Sequence, residues 1–230
     1  MNKKILYIAG IILLLLVLQS CSSKPEETLL KKYFQAVSLN DITTISTMAM
    51  EPITLEEVKN WKIVSATETR IEPAILPELN KKELELKKEL EKSVGITLDA
   101  RDEVDDAKYD LSNARTRASK REAGKKVDEL QAKYDEIYER HKTLQEEYNK
   151  AKSIAAIEEE ITSFSVSAGE VSNIRELSGE VESKEVDVEI NSKLGIKTYK
   201  FYIRKYTLED EGLKLTRRGR WIIVKFEPLD

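Results

Sequence analysis

From Glu78 to Glu160 the chain runs 83 residues with no proline and two glycines, interleaving 18 Lys/Arg with 22 Asp/Glu. Charge of both signs at that density suits solvated helix and leaves too little apolar material for a sheet core. The apolar residues that remain keep helical phase. Val127, Leu130, Tyr134, Ile137, Leu144 and Tyr148, with His141, Ala151 and Ala155 in the same series, alternate steps of three and four, the a/d seam of a coiled coil. Upstream, Val104, Ala107, Leu111, Ala114 and Ala118 follow the same rule. Between Ala118 and Val127 the phase lapses, and Ser119 to Lys126 offers Gly124 but no core side chain, so we expect the tip of an antiparallel helical hairpin near residues 119–125. Arms of about 40 residues, each roughly 60 Å long, would return the chain to its start. Gly95 then interrupts the first arm, and one long helix through residue 124 is the alternative. Small side chains at Ala107, Ala114 and Ala118 against wide ones at Tyr134 and Tyr148 would fill the interface.

The flanks belong to a domain split by this insertion, with pieces at residues 27–76 and 162–230 around a hairpin at 77–161. Leu30, Phe34 and Val37 give an apolar helical face within Glu27 to Leu39, Asn40-Asp41 breaks it, and Ile42, Ile45 and Met48 begin a second helix. Thr54 can cap a third through Val58, after which Trp61, Ile63 and the stretch to Ile71 turn strand-like, with Pro73 and Pro77 at the junction. Beyond the hairpin the period falls to two: Phe164, Val166 and Ala168, then Val186, Val188 and Ile190, then Tyr199, Phe201 and Ile203. Leu213 and Leu215 lead through the turn Arg217-Arg218-Gly219 into Trp221 to Phe226, an expected hairpin that ends the protein, and the short links before it favour antiparallel neighbours. The expected class is α+β: N-terminal helices and a curved antiparallel sheet, interrupted by the coiled-coil hairpin. Leu29 to Thr44 and the last three strands, ending in Arg220 to Val224, resemble the cone-shaped nuclear-transport-factor-two-like or cystatin-like domains. That resemblance implies a fold that hosts isomerases, dehydratases, ligand binders and adaptors alike.

The amino terminus reads as an address. Lys3 and Lys4 precede an apolar run from Ile5 to Leu18, too short for a bilayer span and the right length for a secretory signal. Leu18-Gln19-Ser20-Cys21 resembles the lipobox of bacterial lipoproteins. The resemblance implies cleavage of residues 1–20, a diacylglycerol thioether on Cys21, acylation of the new amino terminus, and a short anchor linker at 21–26. It also implies a place in the cell envelope, at the outer membrane facing the periplasm if the host has two membranes, since Ser22 is not the aspartate of inner-membrane retention. Cys21 is the only cysteine, so no intramolecular disulfide can form. A free thiol after an ordinary signal peptide and an uncleaved anchor are the competing readings. Cleavage moves the formal charge from −4 to −6, and an acidic chain with interspersed signs argues against nucleic acid.

A search for chemistry returns no catalytic constellation, cofactor motif or metal spacing. The sole histidine, His141, lies in the coiled-coil seam, and Glu185, Asp187 and Glu189 share one strand face that reads as solvated. Arg217, Arg218 and Arg220 are candidate contacts for anionic lipid or glycan. The functional expectation is a lipid-anchored, non-enzymatic interaction or structural module, engaging a protein partner through the hairpin or associating with itself through the same heptads. The alternative is a small-ligand-binding or enzymatic sheet domain with the hairpin as accessory. Periplasmic adaptors of export pumps are similar in anchor and hairpin, but no paired lipoyl-like half motifs flank the arms.

Overall fold

The computed structural model describes residues 24–51, 58–166, 171 and 173–229. The expected signal segment, Cys21, Thr54 and Ala168 lie outside the described residues. Helix α1 (Pro25–Ser38) starts on a proline with Glu26 and Glu27 in its first turn, where both carboxylates complement the helix dipole. It stops at Asn40, whose φ of 53° reverses the chain. Asp41 caps the short α2 (Ile42–Ser46) by accepting from Thr44 N, and bonds from the Thr44 hydroxyl and amide hold its carboxyl below the usual range.

The chain then forms β1 (Val58–Ala66) and β2 (Arg70–Pro73), the helical hairpin α3 (Leu76–Asn113) and α4 (Arg117–Val166), and a 3-10 turn at Ile174–Glu176. Four strands follow: β3 (Ser178–Ser192), β4 (Gly195–Asp210), β5 (Leu215–Arg218) and β6 (Ile222–Leu229). The sheet is a curled antiparallel half-barrel built around the long β3–β4 hairpin. β1 and β2 share the outer edge of β3, and β5 and β6 share that of β4, so the last two strands lie end to end along β4 instead of forming the expected hairpin with each other. Fold class is therefore α+β with a helical hairpin, as the periodicities predict.

The β3–β4 ladder runs from Ser178↔Glu209 to Ser192↔Gly195 without a register shift, so alternate residues face opposite sides along its whole length. On the first face, Val186, Val188, Ile190, Phe201 and Ile203 pack with Leu30, Tyr33 and Phe34 of α1 and Ile45 of α2. On the second face, towards the other end of the ladder, Val181, Tyr206 and Leu208 pack with Leu76, Ile161, Val166 and Ile174 at the hairpin base. Adjacent Ile222 and Ile223 are buried in different cores for the same reason. Inside the first core, Phe34 stacks on Trp61 with centroids 4.8 Å apart and meets Phe201 edge-on at 5.9 Å. A buried ion pair, Lys184 Nζ to Glu26 Oε2 at 2.7 Å, pins the start of α1 to mid-sheet.

Two sequence expectations are overturned at the ends of the second arm, and a third at Gly95, through which α3 runs unbroken. The hairpin turns at Ala114–Thr116, not at 119–125, and α4 continues straight through Gly124. Thr116 and Ser119 each donate the backbone N–H to the other's hydroxyl oxygen at 3.1 Å, a reciprocal cap that starts the second helix. Ala114 is thus the extended C-cap of α3, and Ala118 belongs to α4 rather than to the first arm. The second correction concerns Phe164 and Val166, which end α4 instead of beginning a strand. Glu158, Ile161, Thr162 and Ser165 are buried at helical spacing, and that longer phase outweighs a three-residue alternation.

Candidate functional site

The hairpin is asymmetric: α3 has 38 residues and α4 has 50, so α4 reaches past the start of α3 into the domain body. Its last turn is stitched there by Ser165. The Ser165 hydroxyl donates to Arg220 O at 2.8 Å and accepts from Tyr206 N at 3.1 Å, and Ser165 O accepts from Arg220 N at 2.9 Å. Gly219 is required beside it, because a Cβ there would lie 2.5 Å from Ser165 Oγ and 2.7 Å from Tyr206 O. One turn earlier, buried Glu158 accepts from the Tyr206 hydroxyl at 2.7 Å and from Arg204 at 3.2 Å. Burial, with the Glu158 charge second, pushes the Tyr206 phenol far above its ordinary value.

A second clamp joins both arms. Arg175, on the 3-10 turn, reaches Glu83 of α3 and Glu159 of α4, each at 2.7 Å. The bond to Glu159, and then that to Glu83, raise the already basic guanidinium further. One planar guanidinium fork thus ties both arms to the 3-10 turn at the hairpin's root.

Beyond this root the arms pack on each other. Val127, Leu130, Tyr134, Ile137, His141, Leu144 and Tyr148 are half-buried, and Ala151 and Ala155 are buried. On α3 the facing series is Leu86, Leu90, Ser93, Thr97, Ala100, Val104, Ala107 and Leu111, again in steps of three and four. Ser93 Oγ lies 2.7 Å from His141 Nδ1 and donates to Leu90 O, which leaves it an acceptor for an Nδ1–H of the imidazole. Lys133 to Glu103, at 3.1 Å, gives the same register nearer the tip. The seam therefore carries a polar step, Ser93, Thr97 and His141, between apolar stretches. Sequence reading missed Ser93 and Thr97, taking the neighbourhood of Gly95 for an interruption; extending the three-four phase through polar residues would have found them.

Beside the polar step the arms leave apolar surface uncovered. Val94 and Leu98 of α3 are each 44% exposed and Tyr138 of α4 is 46% exposed. With Arg101 and Tyr134 they line a shallow groove of about 230 Å³, where Tyr134 stacks on Tyr138 at 5.9 Å. On the other flank nearer the root, Leu79, Leu86 and Ile154 line a groove of about 340 Å³.

The sheet also carries an open groove of about 530 Å³ beside β2, where Arg70, Arg204 and Lys225 alternate with Glu68, Glu72 and Glu185 around Tyr202. Its charges are largely mutual: Lys200 holds Glu185 at 2.9 Å, and Tyr202 donates to Glu227. Among the described residues no cluster of His, Cys, Asp or Glu could hold a metal. Glu185, Asp187 and Glu189 are engaged by Lys200, Ser65 and Lys62. Of the basic turn, Arg220 lies over the Phe164 ring at 5.3 Å and donates to Phe164 O, Arg217 lies 3.9 Å from Asp210, and Arg218 is exposed. The first two arginines tie down the turn and the end of α4. No described helix is long and apolar enough to cross a membrane. No family model matches the chain, and no curated protein or solved structure shows significant similarity to it.

Proposed function

We propose that the protein is a lipid-anchored lipoprotein of the cell envelope whose helical hairpin is a docking arm for another envelope protein. The carrying observation is the apolar surface left on the arms after they have paired, centred on Val94, Leu98 and Tyr138. A self-sufficient hairpin gains nothing from aromatic and branched side chains there, whereas a helix laid along the groove would bury them. The root supports the same reading. Arg175 and the Glu158–Tyr206–Arg204 cluster fix the arms to the body, as a presenting arm requires. The lipobox-like run from Leu18 to Cys21 supports the anchored part of this reading.

Photo-reactive residues at Val94, Leu98 and Tyr138 of the intact protein, activated in native envelopes, test the docking reading. Recovery of one envelope protein from all three positions is the expected result. Adducts confined to the hairpin itself overturn it. Adducts to a second copy would replace the partner with self-association. A second reading, a small-ligand site on the sheet, is favoured by the groove at Arg70, Arg204 and Lys225, and an anionic small molecule captured from a probe at Glu68 would promote it.

A further inference from the structure

The uncovered flank of the hairpin at Val94, Leu98 and Tyr138 carries charges in a pattern that is its own complement. On α3 an exposed row runs beside the seam through Lys87, Glu91, Val94, Leu98, Arg101 and Asp105, each one residue after a seam position. Val94 and Leu98 form its apolar centre, with a basic and an acidic residue before them and a basic and an acidic residue after them. Turned end over end about the point midway between Val94 and Leu98, the row meets itself with every sign opposed. Val94 then faces Leu98, Glu91 faces Arg101 and Lys87 faces Asp105, and each pair occurs twice. Further out, Leu84 faces Lys108 and Asn80 faces Ser112, so no like charges oppose along the row.

The second arm repeats the pattern at the same height. Ser93 lies against His141 and Glu103 against Lys133, so the middle of the α3 row, at Ile96, stands level with Tyr138 and Glu139. On that flank Tyr138 is preceded by Asp135 and Gln131 and followed by Lys142 and Gln145, again each one residue after a seam position. The same reversal lays Asp135 on Lys142 and Gln131 on Gln145, with Tyr138 beside the axis. Among the described residues no ion pair engages Lys87, Glu91, Asp105, Asp135 or Lys142, and Arg101 pairs only with its neighbour Asp102, at 3.2 Å. These charges are therefore available to an occupant of the flank.

We propose that the occupant is the hairpin of a second copy of this chain, laid antiparallel on the first about a two-fold axis that crosses α3 between Val94 and Leu98 and α4 beside Tyr138; the inference rests on the docking reading above and names its partner. A foreign helix needs only charges opposite to the row it meets. It places no demand that the row invert its own signs about its middle, whereas an isologous contact demands that of both arms at once. In the pairing, α3 lies on α3 and α4 on α4, so two hairpins make a four-helix bundle with the apolar residues at its centre and opposed charges outside them. The row from Lys87 to Asp105 is about 27 Å long. It begins beyond Glu83, where Arg175 clamps the root, and ends before the turn at Ala114–Thr116, so the contact uses the free part of the arms. The two domain bodies then stand at opposite ends of the bundle.

The test uses the full-length protein in native envelopes, produced as two copies with tags of different length and a photo-reactive residue at position 138. An adduct of mixed length, joining position 138 to residues 135–142 of the other copy, is the expected result. Glu91→Arg should lower its yield several-fold, because like charges then face each other at both ends of the apolar centre. Adding Arg101→Glu to that variant should restore the yield, since the opposed pair is only exchanged. If the Glu91→Arg variant loses helix on melting, Lys87→Glu with and without Asp105→Lys puts the same question to the outer pair. A mixed adduct indifferent to the single reversals, or not restored by the double ones, overturns the proposal. Adducts to a different envelope protein alone also overturn it and leave the docking arm standing. Adducts confined to one hairpin remove both readings.

Discussion

The domain body and the hairpin arms are both held by apolar side chains, yet they use them differently. In the body, α1 and α2 cover one face of the sheet and the hairpin base covers part of the other, so Tyr33, Phe201 and Tyr206 are fully buried. In the arms, two helices alone shield a single stripe, and seam residues from Val127 to Tyr148 stay half-exposed. Each body side chain has neighbours on every side, whereas each arm side chain has them on one. The body is therefore specified by its own packing, while the arms retain apolar surface that a third helix could cover.

The largest expected effect separates the two regions directly. Phe201→Ala removes a ring in contact with Tyr33, Phe34 and Phe226 and should cost about 3–5 kcal/mol of global stability. Leu130→Ala, half-buried in the seam, should cost roughly 1–2 kcal/mol because part of its surface is already wet. Chemical denaturation of both variants measures this, and equal losses would show that the arms are as tightly specified as the body.

Next come the joints between the regions. Arg175→Ala leaves Glu83 and Glu159 facing each other without their shared cation and should cost roughly 1–2 kcal/mol. Amide exchange should rise at the base of α3 and not in β3 or β4; exchange unchanged at the base would remove Arg175 as the clamp. The other joint responds to pH. The raised Tyr206 phenol means that its stabilisation is complete below the ordinary value of 10.0 and declines as pH climbs past it, because the unfolded chain releases its proton first. Tyr206→Phe should abolish that alkaline component of the melting profile. It should also cost about 1–3 kcal/mol at neutral pH, since Glu158 loses a buried donor.

The smallest expected effect is a gain. A Cβ at Gly124 meets nothing within 4 Å, so Gly124→Ala should stabilise α4 by about 0.5–1 kcal/mol, visible in thermal melting. A loss instead would place the turn back at Gly124.

Much of this architecture was legible because periodicity survives without a partner. The three-four phase from Val127 to Ala155 and the two-residue alternation of Val186, Val188 and Ile190 each report one face of one element. The turn of the hairpin was not legible, since Gly124 is the stronger breaker by composition. The reciprocal Thr116–Ser119 cap that decides the turn is a matter of backbone geometry. The end of α4 was misread for a related reason: Phe164 and Val166 alternate like a strand, but only the sheet beneath Ser165 shows that the helix must continue to reach it.

The sequence by itself determined that two long amphipathic helices interrupt a helix-and-sheet domain, because apolar spacing and the lack of proline are properties of each segment alone. Tertiary structure alone decided that the two cores lie on opposite faces of one uninterrupted ladder, and that Arg175 and Glu158 root the arms in it. Each of these relations is fixed by contacts between separate elements. Those relations join residues far apart in the chain, and pairing across such distances follows from register and packing, not from any local pattern.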